Sequence, residues 1–338
     1  MFIHRPANFP LYRKLIKYIN LFKEMKTNLR KKNTKIKYRF ADLKEAQRLY
    51  LSNTDYLNNF SQYDLDYKLN KKNATLEEFK AFGVSQMLEF TSKEKELISK
   101  QIAKMEKTLE VQKMSLPFNE EIIFIKSTQK EENGSLAYTH GTQIYLAENF
   151  IDTMEETKIR KKFFVDQVFW HELFHCLTRA NKTFRKDMYK IIHFTVTEKD
   201  FRIPKSIFDI SISNPDVEHH DSYATFKING KDMNCYMVLT ASKPFNKPGD
   251  SFFDCMQSSI VPIDSKGEFY LPKEAENFWE IFGKNTSYVI DPEECLADNF
   301  SYAILNKEYE KYFECKMVEL DFKNPEIIEE IIRYLQNC

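Results

Sequence analysis

The hydrophobic pattern of this chain changes period along its length, and that change restricts the folds open to it. Residues 39–116 read as helical. Thr91 with Glu94 three positions on forms a capping-box signal, and Ile98, Ile102, Met105 and Leu109 follow at the spacing that lines one helix face. From Pro117 the texture turns to β. Residues 122–125 are a β-rich run, and 138–146 (YTHGTQIYL) follow after a Gly-containing turn, which suggests a strand pair. Helices are expected at 157–179 and 183–193. Strands are expected between about 195 and 275, where Asn229-Gly230 separates two β-rich runs as in a hairpin. Helical patterns return at 291–306 and 325–336. Segregated helical and strand stretches of this kind imply an α+β chain.

Composition narrows the class. With 338 residues, 42% hydrophobic and 14% aromatic, the chain has material for a sizeable core. Fifty basic and fifty acidic residues cancel, which argues against nucleic acid as a main partner. The longest stretch without a charged residue, 133–147, is polar and shorter than the roughly 20 apolar residues of a membrane span, so no transmembrane segment is expected. Leu15, Ile16, Ile19, Leu21 and Phe22 are interrupted by Lys17, Asn20 and Lys23, so no secretory signal is expected. Six cysteines without a CxxC pair are too sparse for a disulfide framework. Reduced thiols and a cytoplasmic location follow as expectations. Residues 1–38 carry eleven Lys/Arg against one acid, a basic extension suited to surface contacts or to docking on the acidic remainder.

One motif carries chemistry. His171-Glu172-Leu173-Phe174-His175 is an HExxH sequence inside a predicted apolar helix. Residues four apart lie on one face of a helix, so both imidazoles can reach a single metal ion. Glu172 sits beside the first His, where its carboxylate can take a proton from a zinc-activated water. The residues after His175 lack the Gly and His of the metzincin continuation. A third ligand is expected far downstream, in Asp291-Pro292-Glu293-Glu294-Cys295-Leu296-Ala297-Asp298. Asp291 suits the N-cap and Pro292 the first helical position. Glu294 and Asp298 then share a face, one to ligate and the other to fix the tautomer of a ligating His. Glu293 points about 100° away around the helix and is the weaker ligand.

These motifs resemble the gluzincin branch of zincin-like metallopeptidases, and PEECLADNF is similar to the second motif of uncharacterised bacterial members. The resemblance implies a zincin-like catalytic domain at 117–338, with a helical region at 39–116 before it and a β-rich insertion at about 195–275. It implies Zn²⁺ held by His171, His175 and Glu294, Glu172 as general base, Asp298 in support, and hydrolysis of a peptide or protein substrate. The strand at 138–146 sits where zincins carry the edge strand of the substrate cleft. Glu294 lies 119 positions beyond His175, a longer gap than in the thermolysin pattern, as an inserted β-subdomain would produce. The segment Asn214-Pro215-Asp216-Val217-Glu218-His219-His220-Asp221 is a rival source of the third ligand. His219, His220 and Tyr302 are candidates for stabilising the oxyanion, His140 is a weaker candidate, and His4 and His193 lack supporting context. The alternative to an enzyme is a zinc-stabilised, non-catalytic binding module.

Overall fold

The computed structural model describes residues 34–244, 252–314 and 322–338. Most of the basic extension, with His4, lies outside these residues, as does Cys315. Among the described residues the chain is an α+β protein with two sheets. The first sheet holds β1 (Lys37–Phe40), β2 (Met87–Leu88), β3 (Glu121–Ser127), β4 (Ala137–His140) and β5 (Gln143–Ala147). Its order is β1-β3-β5-β4, with β2 pairing to the end of β3. β1, β3 and β5 run parallel, and β4 closes the edge antiparallel to β5. The second sheet, β6 (Thr195–Val196), β7 (Ser222–Ile228), β8 (Lys231–Ala241) and β9 (Met256–Pro262), is an antiparallel meander.

Two sequence expectations change here. The run 138–146 is not one strand but a hairpin, because Gly141 adopts φ +56° and reverses the chain. Its returning arm, β5, pairs with β3 in parallel. The region 39–116 is not wholly helical and does not stand apart. β1, lying across the expected boundary at residue 38, adds a strand to the main sheet, and Ile36 is buried beside it.

The helices that matter for the site are α1 (Leu43–Ser52), α2 (Gln62–Lys68), α3 (Leu76–Gln86), α4 (Ser92–Gln112), α5 (Ile159–Ala180), α6 (Lys182–Ile191), α7 (Pro292–Glu314) and α8 (Pro325–Asn337). The Thr91–Glu94 capping box opens α4, and Ile98, Ile102, Met105 and Leu109 are buried along it. Asn181 ends α5 and caps α6, its Oδ1 accepting from Phe184 N at 3.0 Å. Such a shared cap fixes the angle between the two helices. Residues 291–305 are buried on every side. A helix that is apolar around most of its circumference belongs to the middle of a core, and any carboxylates it carries must find partners there. α7 packs along α5, with Phe300 against Trp170 and Phe174. Cys176, Cys235 and Cys295 are free thiols. Among the described residues no helix is long and apolar enough to cross a membrane.

Candidate metal centre

α5 and α7 turn their polar residues toward one another. His171 Nε2 lies 3.0 Å from Glu294 Oε2, and His175 Nε2 lies 3.6 Å from the same oxygen. The ligand atoms of His171, His175 and Glu294 all fall within 4.8 Å of one another. Each imidazole is held from behind by a carboxylate, His171 Nδ1 by Asp298 Oδ1 at 3.0 Å and His175 Nδ1 by Glu293 Oε1 at 3.1 Å. Both rings are thereby set with Nε2 facing Glu294, the orientation that metal-ligating histidines take from such partners. His175 Nε2 is buried and has no hydrogen-bond partner. A buried nitrogen left in this state calls for an unseen partner.

The carboxylates are anchored in turn. Glu293 accepts from Thr178 Oγ1 and Tyr189 OH, both at 2.5 Å. Asp298 accepts from Thr286 Oγ1 at 2.5 Å, and Glu294 Oε1 accepts from Asn214 Nδ2. The start of α7 makes this possible. Asp291 Oδ1 takes Glu293 N at 2.9 Å, and Pro292 follows at the first helical position. Glu293 therefore meets His175 from the side while Glu294 faces both rings. Its turn around the helix makes it a poor ligand and a good orienter of one.

Charge points the same way. Glu172, Asp216, Glu293, Glu294 and Asp298 are buried together, facing two imidazoles and Arg179. With neutral imidazoles this is a strong negative excess in a poorly solvated site. Burial works against charge on His171, yet Asp298 and Glu294 hold its proton well above the ordinary range. Burial likewise opposes charge on His175, but Asp216, Glu293 and Glu294 together push it up to about 10. Burial would raise Glu294, and its bonds to the two histidines bring it well below the carboxylate range. The cluster demands positive charge, and two imidazole nitrogens with one carboxylate are a donor set that suits Zn²⁺ with a fourth position open. Glu172, His175 and Asp216 form an overlapping group. It shares His175 with the first group.

Glu172 is 5% exposed, and its Oε2 has no hydrogen-bond partner. Burial, with the Asp216 carboxylate nearby, pushes its carboxyl up to about 8. His171, Glu172 and Glu294 open on a cavity of about 530 Å³ between α5 and the β4 edge, walled also by Leu136, Tyr138, Phe164 and Tyr288. The Tyr288 ring stands 6.2 Å from that of His171.

The remaining sequence candidates lie elsewhere. His219 is exposed, and its Nδ1 meets Asp200 at 3.2 Å. His220 turns Nδ1 to Met237 O at 3.1 Å and lines a separate cavity. Tyr302 accepts from Gln167 Nε2 at 3.3 Å and does not line the site cavity. His140 is buried against the Tyr56 and Tyr138 rings, on the far side of β4 from Thr139. None of these four reaches the centre, so their assignment to the oxyanion is withdrawn. Tyr288 does line the cavity, with its ring near that of His171. Its sequence surroundings, Asn285-Thr286-Ser287-Tyr288, carry no catalytic pattern, and only the fold brings it here. Asn214 and Asp216 belong to the rival segment weighed from sequence, and they reach the centre by supporting Glu294 and by lying beside Glu172. No known family model, curated protein or solved structure matches the chain.

Proposed function

We propose that this chain is a zinc-dependent hydrolase of the zincin kind that cleaves peptide bonds. The observation that carries the reading is the convergence of His171, His175 and Glu294, with each imidazole backed by a carboxylate, beside a buried glutamate that has one oxygen unpartnered. Zinc bound by those three residues would act as a Lewis acid, acidifying a water and polarising a carbonyl. Glu172 lines the cavity and accepts the proton of the attacking water, then passes it to the departing amine. Its raised affinity for protons, caused by burial, suits a group that must take and return one near neutrality. Asp298 and Glu293 keep the two imidazoles in the tautomer that offers Nε2 inward. Tyr288 stands at the cavity wall to donate to the developing oxyanion. A zinc site kept only for stability gives no reason to bury Glu172 with an oxygen left open.

The test uses zinc-loaded protein, a mixture of unstructured peptides and mass spectrometry of the products. Wild type is expected to generate new peptide ends. Glu172→Gln, which retains all three ligands, is expected to hold the same zinc by elemental analysis and to generate none. Full activity in Glu172→Gln refutes the mechanism.

A further inference from the structure

The cavity beside the candidate metal centre is bounded on one side by the segment 212–218. Along α5 its lining runs from Phe164 to Glu172, and along β4 it ends at Tyr138. One step further on, both elements are covered by the segment 212–218. Thr139 donates to Asp216 Oδ1 through N at 2.8 Å and through Oγ1 at 2.6 Å, and Gly141 N donates to Glu218 Oε1 at 2.7 Å. Arg179, one helical turn beyond His175, bonds Pro215 O at 3.1 Å, Glu218 at 3.1 Å and Thr139 Oγ1. The segment is also fixed from behind. Ile212 N donates to Leu239 O at 2.9 Å, and Ser213 N donates to Asp64 Oδ2 at 3.0 Å. A strap bonded to both sheets and to α2, α5 and α7 is part of the wall and not a removable cover.

The strap uses the outward-facing amides of β4 beyond Tyr138. By the alternation of a β ladder, Ala137 is the preceding residue whose N–H and C=O face the same way, and it lines the cavity. A peptide added to this edge therefore pairs along 136–138 and stops at Thr139, level with the metal centre. β4 runs toward the stop, so an antiparallel peptide presents its amino end there and a parallel one its carboxyl end. The facing group at the stop is the Asp216 carboxylate, whose oxygen lies within 4.8 Å of ligand atoms of Glu172 and His175. The neighbouring cation, Arg179, is engaged by Glu218. A carboxylate repels a substrate carboxylate and pairs with an ammonium.

Resting on the hydrolase reading above, we infer that the chain is specific for chain ends: it removes the amino-terminal residue of a peptide whose free ammonium docks on Asp216, and the strap excludes residues before it. In the balanced step, water adds its oxygen to the first carbonyl carbon and the first peptide bond breaks. The free amino acid leaves with the hydroxyl, and the shortened peptide leaves with the proton that Glu172 returns.

The test measures calorimetric binding to the full chain loaded with zinc, whose content is set by elemental analysis. Two phosphinic pseudopeptides are compared. One carries a single residue with a free amine before the phosphinate. The other is extended by three further residues at that end and acetylated. The free-amine compound is expected to bind about 100-fold more tightly, the scale of a lost charge-assisted hydrogen bond together with exclusion. Asp216→Asn keeps the acceptor for Thr139 and removes the charge. It is expected to weaken the free-amine compound by roughly tenfold or more, at unchanged zinc content. Equal binding of the two compounds to wild type overturns the inference and leaves the hydrolase reading standing. Zinc-loaded protein that binds neither compound also overturns it. Protein that takes up no zinc defeats the metal reading itself.

Discussion

Replacing Glu293 with Ala tests whether the residue behind His175 governs the grip on the metal. Its carboxylate accepts from His175 Nδ1, Thr178 Oγ1 and Tyr189 OH. Thr178 retains a second acceptor in His175 O at 3.0 Å, so the change orphans two buried donors, on His175 and Tyr189. At about 1–3 kcal/mol for each orphaned group, the fold is expected to lose roughly 2–6 kcal/mol, read as a lowered midpoint in urea. Freed of its partner, the His175 ring is no longer fixed with Nε2 toward Glu294. Zinc affinity, measured by competition with a chromogenic chelator, is expected to fall about 10–100-fold, the usual worth of a carboxylate behind a ligating His. Glu293→Gln keeps an acceptor in place and is expected to fall between wild type and Ala. A folded Glu293→Ala protein whose zinc affinity stays within about twofold of wild type refutes the orienting role.

Three further outcomes are expected. Tyr288→Phe removes the cavity hydroxyl and is expected to lower kcat by about 100-fold at unchanged zinc content, as loss of one oxyanion donor does; an unchanged kcat removes Tyr288 from the mechanism. Lys68 pairs with Glu132 in the interior, with Asp64 beside it, and burial pushes the Glu132 carboxyl up to about 7 despite that cation. A carboxyl with a raised folded pKa binds its proton more tightly folded than unfolded, so its contribution to stability is lost as pH rises from 4.5 through 7. Lys68→Met, which leaves Glu132 unpaired, is therefore expected to cost about 3–5 kcal/mol at pH 8 and much less at pH 5; equal costs in urea titrations at both pH values contradict this. Gly83 sits in α3 where an added Cβ would stand 2.1 Å from the Tyr50 hydroxyl. Gly83→Ala is expected to destabilise by about 1–3 kcal/mol in the same assay, and a neutral result shows that Tyr50 can give way.

Periodic features were readable from sequence because local spacing determines them. The buried stripe of α4, the Asn229-Gly230 hairpin and the helix start at Asp291-Pro292 follow from side-chain spacing and backbone preference alone. The two histidines of HExxH share one helix face by the same logic, whereas Glu294 as their partner is expected from the resemblance. Contacts that needed tertiary folding were not readable. Glu293 reads from sequence only as the weaker ligand, turned away around the helix, since nothing in sequence shows that α5 passes beside it. His219 and His220 looked apt because they are histidines near acids. Backbone carbonyls and Asp200 claim them instead. β1 (KYRF) alternates polar and aromatic residues as a strand does, but four residues beside a strongly basic segment make too short a signal, and its pairing with β3 is a tertiary contact.

The helix bearing Glu293, Glu294 and Asp298 is enclosed by hydrophobic residues, and Phe300 on it meets Trp170 and Phe174 of the helix bearing both histidines. The separation between the proposed ligands is thus an interior packing distance, inherited from aromatic rings that never see solvent. A substitution that slackens those rings should be felt as weaker zinc retention before any loss of helical content. On the hydrolase reading, drift in substrate preference has more freedom at Leu136 and Phe164, whose surroundings do not set that distance.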